Sequence, residues 1–317
     1  YLVRLLHSQP LRVNINYVTE PFHQTCIMSG KNLFPLLFCF MFYPIIFISS
    51  RSVKVRNIEL TYSANMRRCC GDAKCVLAFS LFGDDPRFTD GARTNSKLLK
   101  YAYPCWNMRV YYDSSVAKEV LLNLEGDGVE LINMYESSLN PRLWRFLVAR
   151  DEEVETFCSR DVDSRLSLRE FSAVSEWLDS DTDVHLMIDH PNHLYRNMGN
   201  FPISAGMWCA KGARVRPNMD ELLQHVDANS HEFFGDQQLL QRFLAPKLYR
   251  ELSALRHRSF GCSHYPDDFI FPTPRIDLEH VGAVYLSGLL RENDATSLKQ
   301  AIELGEECRS RKYMEHA

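Results

Sequence analysis

Apolar runs separated by polar, turn-rich stretches recur from Cys75 onward. Residues 75–82 are almost continuously apolar and end in Gly83, the pattern of a strand buried on both faces of a largely parallel sheet. Asp84-Asp85-Pro86 and Asp90-Gly91 are turn signals, so a polar loop is predicted over 84–94 and a helix over 95–102. A second strand is predicted at 108–113, then a helix at 116–124, a strand at 129–132 and a helix around 142–148. An apolar strand at 154–158 follows. Helical spacing then returns with Leu166, Leu168, Phe171, Val174, Trp177 and Leu178. Beyond Gly199 the pattern is irregular, with helices expected at 219–226, 236–244 and 295–303. Strand–helix alternation of this kind predicts an α/β fold, a single Rossmann-type domain with a mixed, mostly parallel central sheet and a crevice beyond the strand carboxyl ends.

Residues 33–48, LFPLLFCFMFYPIIFI, carry no charge and are bounded by Lys31 and Arg51. With their flanks they approach the roughly 20 residues that a spanning helix needs. A retained anchor and a cleaved signal are both open readings, and basic residues on each side leave the orientation undecided. The expected organisation is a tail at 1–31, a membrane anchor or signal segment at 32–50, a stem at 51–74, a catalytic domain at 75–290, and a C-terminal helix and tail at 291–317. Of ten cysteines, eight follow the apolar run, an even number that suits disulfides in an oxidising lumen. No Asn-x-Ser/Thr acceptor occurs. The formal charge of −4 gives no electrostatic footprint for nucleic acid.

The candidate chemistry centres on Arg160-Asp161-Val162-Asp163-Ser164-Arg165. In an extended backbone residues two apart share a face, so Asp161 and Asp163 are expected to converge on a hard divalent cation. The competing triplets Asp179-Ser180-Asp181 and Asp181-Thr182-Asp183 read as helix exit and solvated turn.

The series Arg109-Val110-Tyr111-Tyr112-Asp113, Trp144-Arg145-Phe146, Arg160 to Arg165, Asp189-His190-Pro191-Asn192-His193, Gly206-Met207-Trp208 and Gly235-Asp236-Gln237 resembles an Asp-x-Asp glycosyltransferase of the glycosyltransferase-A fold. The resemblance covers about 75–282 and is nearest to poorly characterised, membrane-anchored animal proteins of that type. It implies a nucleotide-diphosphate sugar donor, a Mn2+ or Mg2+ ion, and a glycan, protein or lipid acceptor in the Golgi or endoplasmic reticulum. It implies Asp163 as the main metal ligand, Asp161 at the donor or a metal-bound water, and His257 as a third ligand. Arg160, Arg165 and Arg145 would balance diphosphate charge; salt bridges or a helix surface are their alternatives. His190 and His193 would contact sugar hydroxyls or assist proton transfer, with Asp189 beside them. Trp208 would offer an aromatic plane to a sugar or sit in the core, and Asp236 would act on the acceptor hydroxyl or cap a helix. Ile188 and Arg258 depart from the family pattern, which keeps a catalytically silent carbohydrate-binding or structural module open. An aspartate-nucleophile phosphohydrolase is the other alternative.

Overall fold

The structure, a computed structural model, describes residues 73–195, 203–228 and 235–308. The tail, the apolar 32–50 segment and nearly all of the stem lie outside the described residues. Among the described residues no helix is long and apolar enough to cross a membrane.

An eight-stranded sheet runs in the order β3-β2-β1-β4-β6-β5-β7-β8. Its strands are β1 (Lys74–Leu81), β2 (Asn107–Tyr112), β3 (Glu130–Asn133), β4 (Val154–Arg160), β5 (Val184–Ile188), β6 (Met207–Lys211), β7 (Ala254–Arg258) and β8 (Phe269–Ile270). All neighbours pair in parallel except β6, which is antiparallel to both β4 and β5. The α/β class and the mixed, mostly parallel sheet are as the sequence predicts. A separate hairpin joins β9 (Tyr285–Leu286) to β10 (Leu289–Leu290).

The helices are α1 (Pro86–Ala102), α2 (Lys118–Gly126), α3 (Leu168–Leu178), α4 (Pro191–Tyr195), α5 (Gly212–Ala228), α6 (Asp236–Phe243) and α7 (Glu292–Glu303), and residues Pro141–Arg150 form a 3₁₀ segment. Helix α1 corrects the predicted loop at 84–94. Asp85 accepts a bond from the Arg87 N–H at 2.8 Å and Pro86 occupies the first turn, a helix start rather than a loop. Strands β5 to β7 were not predicted. In β7 the polar His257 and Arg258 are fully buried, so the apolar run that marks the other interior strands is missing.

Two apolar layers enclose the sheet. One gathers Trp144, Phe146, Phe157 and Trp208, the other Leu77, Phe79, Tyr103, Phe171 and Trp177. Cystines Cys158–Cys209, joining β4 to β6, and Cys262–Cys308 add covalent ties. Cys75 and Cys105 are also disulfide-bonded, so every cysteine among the described residues is oxidised. The pair Cys262–Cys308 secures the end of α7, whose Leu298 and Ala301 pack on Phe260.

Candidate active site

Strand β4 ends at Arg160, and Asp161 to Ser164 form a turn rather than extended backbone. The Ser164 N–H and Oγ both donate to the Asp161 carbonyl, at 3.2 and 2.7 Å. The expectation that an extended i, i+2 spacing aligns the carboxylates is therefore corrected: the turn brings them together. Asn95 of α1 grips this turn, donating from Nδ2 to the Val162 and Ser164 carbonyls at 3.2 and 2.8 Å and accepting from the Leu166 N–H at 3.1 Å. Gly91 lets α1 approach, since a Cβ there would fall 2.2 Å from the Val162 carbonyl oxygen. From the other side the Tyr285 N–H donates to the Asp163 carbonyl at 3.2 Å. Helix α1 and strand β9 thus fix the turn from two sides.

Asp161 and Asp163 line one cleft of about 590 Å³ beyond the end of β4. Its walls also include Arg87, Arg145, His190, His193, Gly206, Asp236, His280 and Asp294. Arg145 lies between two carboxylates. One nitrogen donates to Asp161 and to the Arg160 carbonyl (3.0 Å), the other to Asp236 at 2.6 Å. Burial pushes the Asp161 carboxyl upward, but the Arg145 guanidinium outweighs it and holds the group below its ordinary value. Asp163 moves the opposite way. Burial and then the neighbouring Asp161 charge raise it, against a partial offset from Arg87, whose Nε stands 3.6 Å away.

Asp236 is the first residue of α6, with Gly235 at the capping position, so its carboxylate does not cap that helix as the simpler sequence reading had it. It accepts from the Gln237 N–H at 2.8 Å, and Gln237 in turn accepts from the Ala205 N–H at 2.9 Å. The start of α6 thereby holds the segment that carries Gly206.

Several expected site residues are placed elsewhere. Arg160 is fully buried, paired with the equally buried Glu170 at 2.8 Å and bonded to the Gly206 carbonyl; it braces the floor of the site and does not face the cleft. Arg165 lies over the Tyr285 ring at 5.1 Å, outside the cleft lining. Trp208 is a core residue, fully enclosed between Phe157 and Phe146 with ring centroids at 5.2 and 6.0 Å, and offers no plane to a sugar. His257, expected to reach the metal, is buried on β7 against His185 at 2.8 Å and Glu176 at 3.3 Å. Burying the imidazoles side by side keeps His185 far below its ordinary value.

Asp189 is also enclosed. It accepts from Arg169 (2.8 and 2.9 Å), Arg275 (2.8 Å), Ser259 (2.5 Å) and the Val281 N–H (3.0 Å). Burial alone would raise this carboxyl, yet Arg169 and Arg275 drive it far below the ordinary range. Its bond to Val281 positions the loop bearing His280 and Gly282, both of which line the cleft.

His190 and His193 do line the cleft. The Asn192 N–H donates to His190 Nδ1 at 3.1 Å, so Nε2 carries the proton shared with the Asp294 carbonyl at 3.0 Å. With both ring nitrogens engaged and burial lowering its basicity, His190 is not a free proton acceptor. Sequence reading missed Arg87, His280 and Asp294. None lies in a distinctive motif; only the folding of α1 and of the 278–294 stretch onto the cleft reveals them.

Among the described residues no group of three or more His, Cys, Asp or Glu side chains is arranged as a complete metal cage. Two carboxylates on a fixed turn, one of them raised by burial and by its neighbour's charge, do suit a divalent cation that takes its remaining oxygens from phosphates and water.

No family model and no curated protein matches the chain. Among solved structures it is similar to the galactosyltransferase LgtC in complex with donor and acceptor sugar analogues, at 16% identity over 53% of this chain and 70% of that one, TM-score 0.36. A mannosyltransferase from Pyrobaculum calidifontis in complex with GDP-Man and Mn2+ is similar at 12% identity over 65% and 64%, TM-score 0.39. So is 4-diphosphocytidyl-2C-methyl-D-erythritol synthase from Anaerococcus prevotii, at 8% identity over 59% and 86%, TM-score 0.39. Likenesses this distant identify neither a family nor an activity.

Proposed function

We propose that the chain transfers a sugar from a nucleotide-diphosphate sugar to a hydroxyl of a glycan, protein or lipid acceptor, using Mn2+ or Mg2+. The observation that carries this reading is the turn at the end of β4, which presents Asp161 and Asp163 to a cleft that also holds Arg145, Arg87 and Asp236. Asp161 and Asp163 would hold the ion, which when bound supplies charge neutralisation for the departing diphosphate. Arg87 and Arg145 add fixed positive charge beside it. Asp236, the carboxylate on the far arm of Arg145, would accept a hydrogen bond from the attacking hydroxyl, and His193, in the cleft lining, would contact a sugar.

A membrane-anchored, luminal location in the Golgi or endoplasmic reticulum is part of the same proposal. The complete oxidation of the described cysteines supports it, because disulfides persist in oxidising compartments.

A catalytically silent module of the same fold is the second reading. It is favoured by Arg145, which ties Asp161 and Asp236 together within the protein. A phosphohydrolase nucleophile is not favoured, since that ion pair engages Asp161 and burial raises Asp163.

The test is hydrolysis of a panel of nucleotide-sugars with Mn2+, before and after Asp163→Ala. Metal-dependent turnover abolished by the substitution supports transfer. Sugar or nucleotide binding without turnover supports the silent module, and a phosphoenzyme would replace both.

A further inference from the structure

The wall of the cleft formed by 278–294 carries a second chemistry. His280 is only 3% exposed and lines the cleft. Its Nδ1 donates to the Leu278 carbonyl at 3.1 Å, which leaves Nε2 as a bare lone pair, and no other described residue bonds to the ring. Burial and the adjacent His190 lower its pKa to about 4, so the ring is neutral near pH 7. The rings of His190 and His280 stand 4.6 Å apart, and those of His193 and His280 6.2 Å. His190 is fixed as the Nε2–H tautomer by Asn192 and Asp294.

Arg291 is held bidentately by Asp294, with both bonds at 2.9 Å. Arg275 behind it is spent on Asp189 and Glu307. A neutral imidazole lone pair accepts a hydrogen bond from O–H and repels the unprotonated oxygen of a phosphate. The Asp turn, with its flanking arginines, is the charged side of the cleft.

We propose that His280 is a substrate-binding residue whose Nε2 accepts a hydrogen bond from a hydroxyl of a neutral sugar, the diphosphate being held at the Asp turn of the same cleft. The inference rests on the nucleotide-sugar reading and adds a division of the cleft into an ionic half and a polyol half. The polyol half is organised by Asp189, which holds the Val281 N–H next to His280.

The experiment is calorimetric titration of the full chain, in Mn2+, with UDP and GDP and with UDP-glucose, UDP-galactose and GDP-mannose. His280→Phe keeps the ring packing and removes the acceptor; His280→Gln returns an acceptor oxygen near the Nε2 position. Circular dichroism on both variants checks that the fold is retained. The expected result for His280→Phe is nucleoside diphosphate affinity within about twofold of wild type and about tenfold weaker binding of the preferred nucleotide-sugar, the loss typical of one hydrogen bond. His280→Gln recovers most of that loss. Equal weakening of diphosphate and nucleotide-sugar would overturn the proposal by assigning His280 to the ionic half, and no change in either would make it a bystander. If the wild type binds neither diphosphate nor nucleotide-sugar, the parent reading itself falls and takes this inference with it.

Discussion

Gly206 lies directly against Asp161: a Cβ at position 206 would come within 2.2 Å of the carboxyl carbon and of one carboxylate oxygen. Separations this short have no counterpart among real side-chain contacts, so the absence of a side chain at 206 is what allows Asp161 to stand where it does. Gly206→Ala is therefore expected to displace Asp161 and weaken Mn2+-dependent nucleoside diphosphate binding by at least tenfold. Far-ultraviolet circular dichroism should stay unchanged. Unaltered binding would show that the Asp161 position does not matter.

Asp163 has a folded-state pKa raised by burial and by Asp161. The folded protein therefore holds this proton more tightly than the unfolded chain does, and stability falls as pH rises from the ordinary carboxylate value through the raised one. Asp163→Asn removes that loss. The variant is expected to melt at a higher temperature than wild type at pH 7 without added metal, with the difference vanishing at pH 3. Added Mn2+ should stabilise only the wild type. Thermal denaturation at the two pH values checks both parts.

Arg160 and Glu170 form an ion pair closed to solvent, and Tyr103 donates to the same carboxylate at 2.9 Å. Removing one partner leaves a buried charge uncompensated, at a cost of roughly 3–5 kcal/mol. Arg160→Ala should lower the urea midpoint accordingly. Arg145→Lys keeps a charge but loses the two-armed fork, and should weaken nucleotide-dependent activity with a smaller change in stability.

Asp189 reports in the opposite direction from Asp163. Its pKa is driven far below the ordinary range, chiefly by Arg169 and Arg275 working against burial. Its contribution is fully present above the unfolded value of about 3.9 and is lost as pH falls through the folded one. Asp189→Asn is expected to destabilise the protein at pH 7 by roughly 3–5 kcal/mol, because two buried arginines lose their counter-charge. The loss should shrink below pH 3, as urea denaturation at both pH values would show.

How far the sequence discloses this architecture follows from which signals are local. Strand β1 is read directly because a strand covered on both faces must be apolar throughout, as Val76 to Phe79 show. Strand β7 is hidden because Arg258 and His257 are buried by virtue of distant partners, Asp268 and His185, which no local pattern displays. The Asp pair is visible as spacing, although its convergence depends on a turn gripped by Asn95, nearly seventy residues earlier in the chain. Arg160, Asp189 and His257 resemble site residues in the sequence because they are polar and lie in the stretches that carry the family resemblance. The fold separates those that brace the site, such as Arg160 and Asp189, from equally buried residues that face the cleft, such as His190 and His280. His280 shows the converse, since a histidine in an irregular stretch becomes a cleft residue only when Asp189 and Leu278 fix its loop.

The central claim is that Asp161 and Asp163 together hold a divalent cation beneath a diphosphate. The direct measurement is calorimetric titration of Mn2+ into the full chain with a saturating nucleoside diphosphate, for wild type and for Asp163→Asn. One site is expected in the wild type, with at least tenfold weaker binding in the variant. Equal binding by both proteins would contradict it.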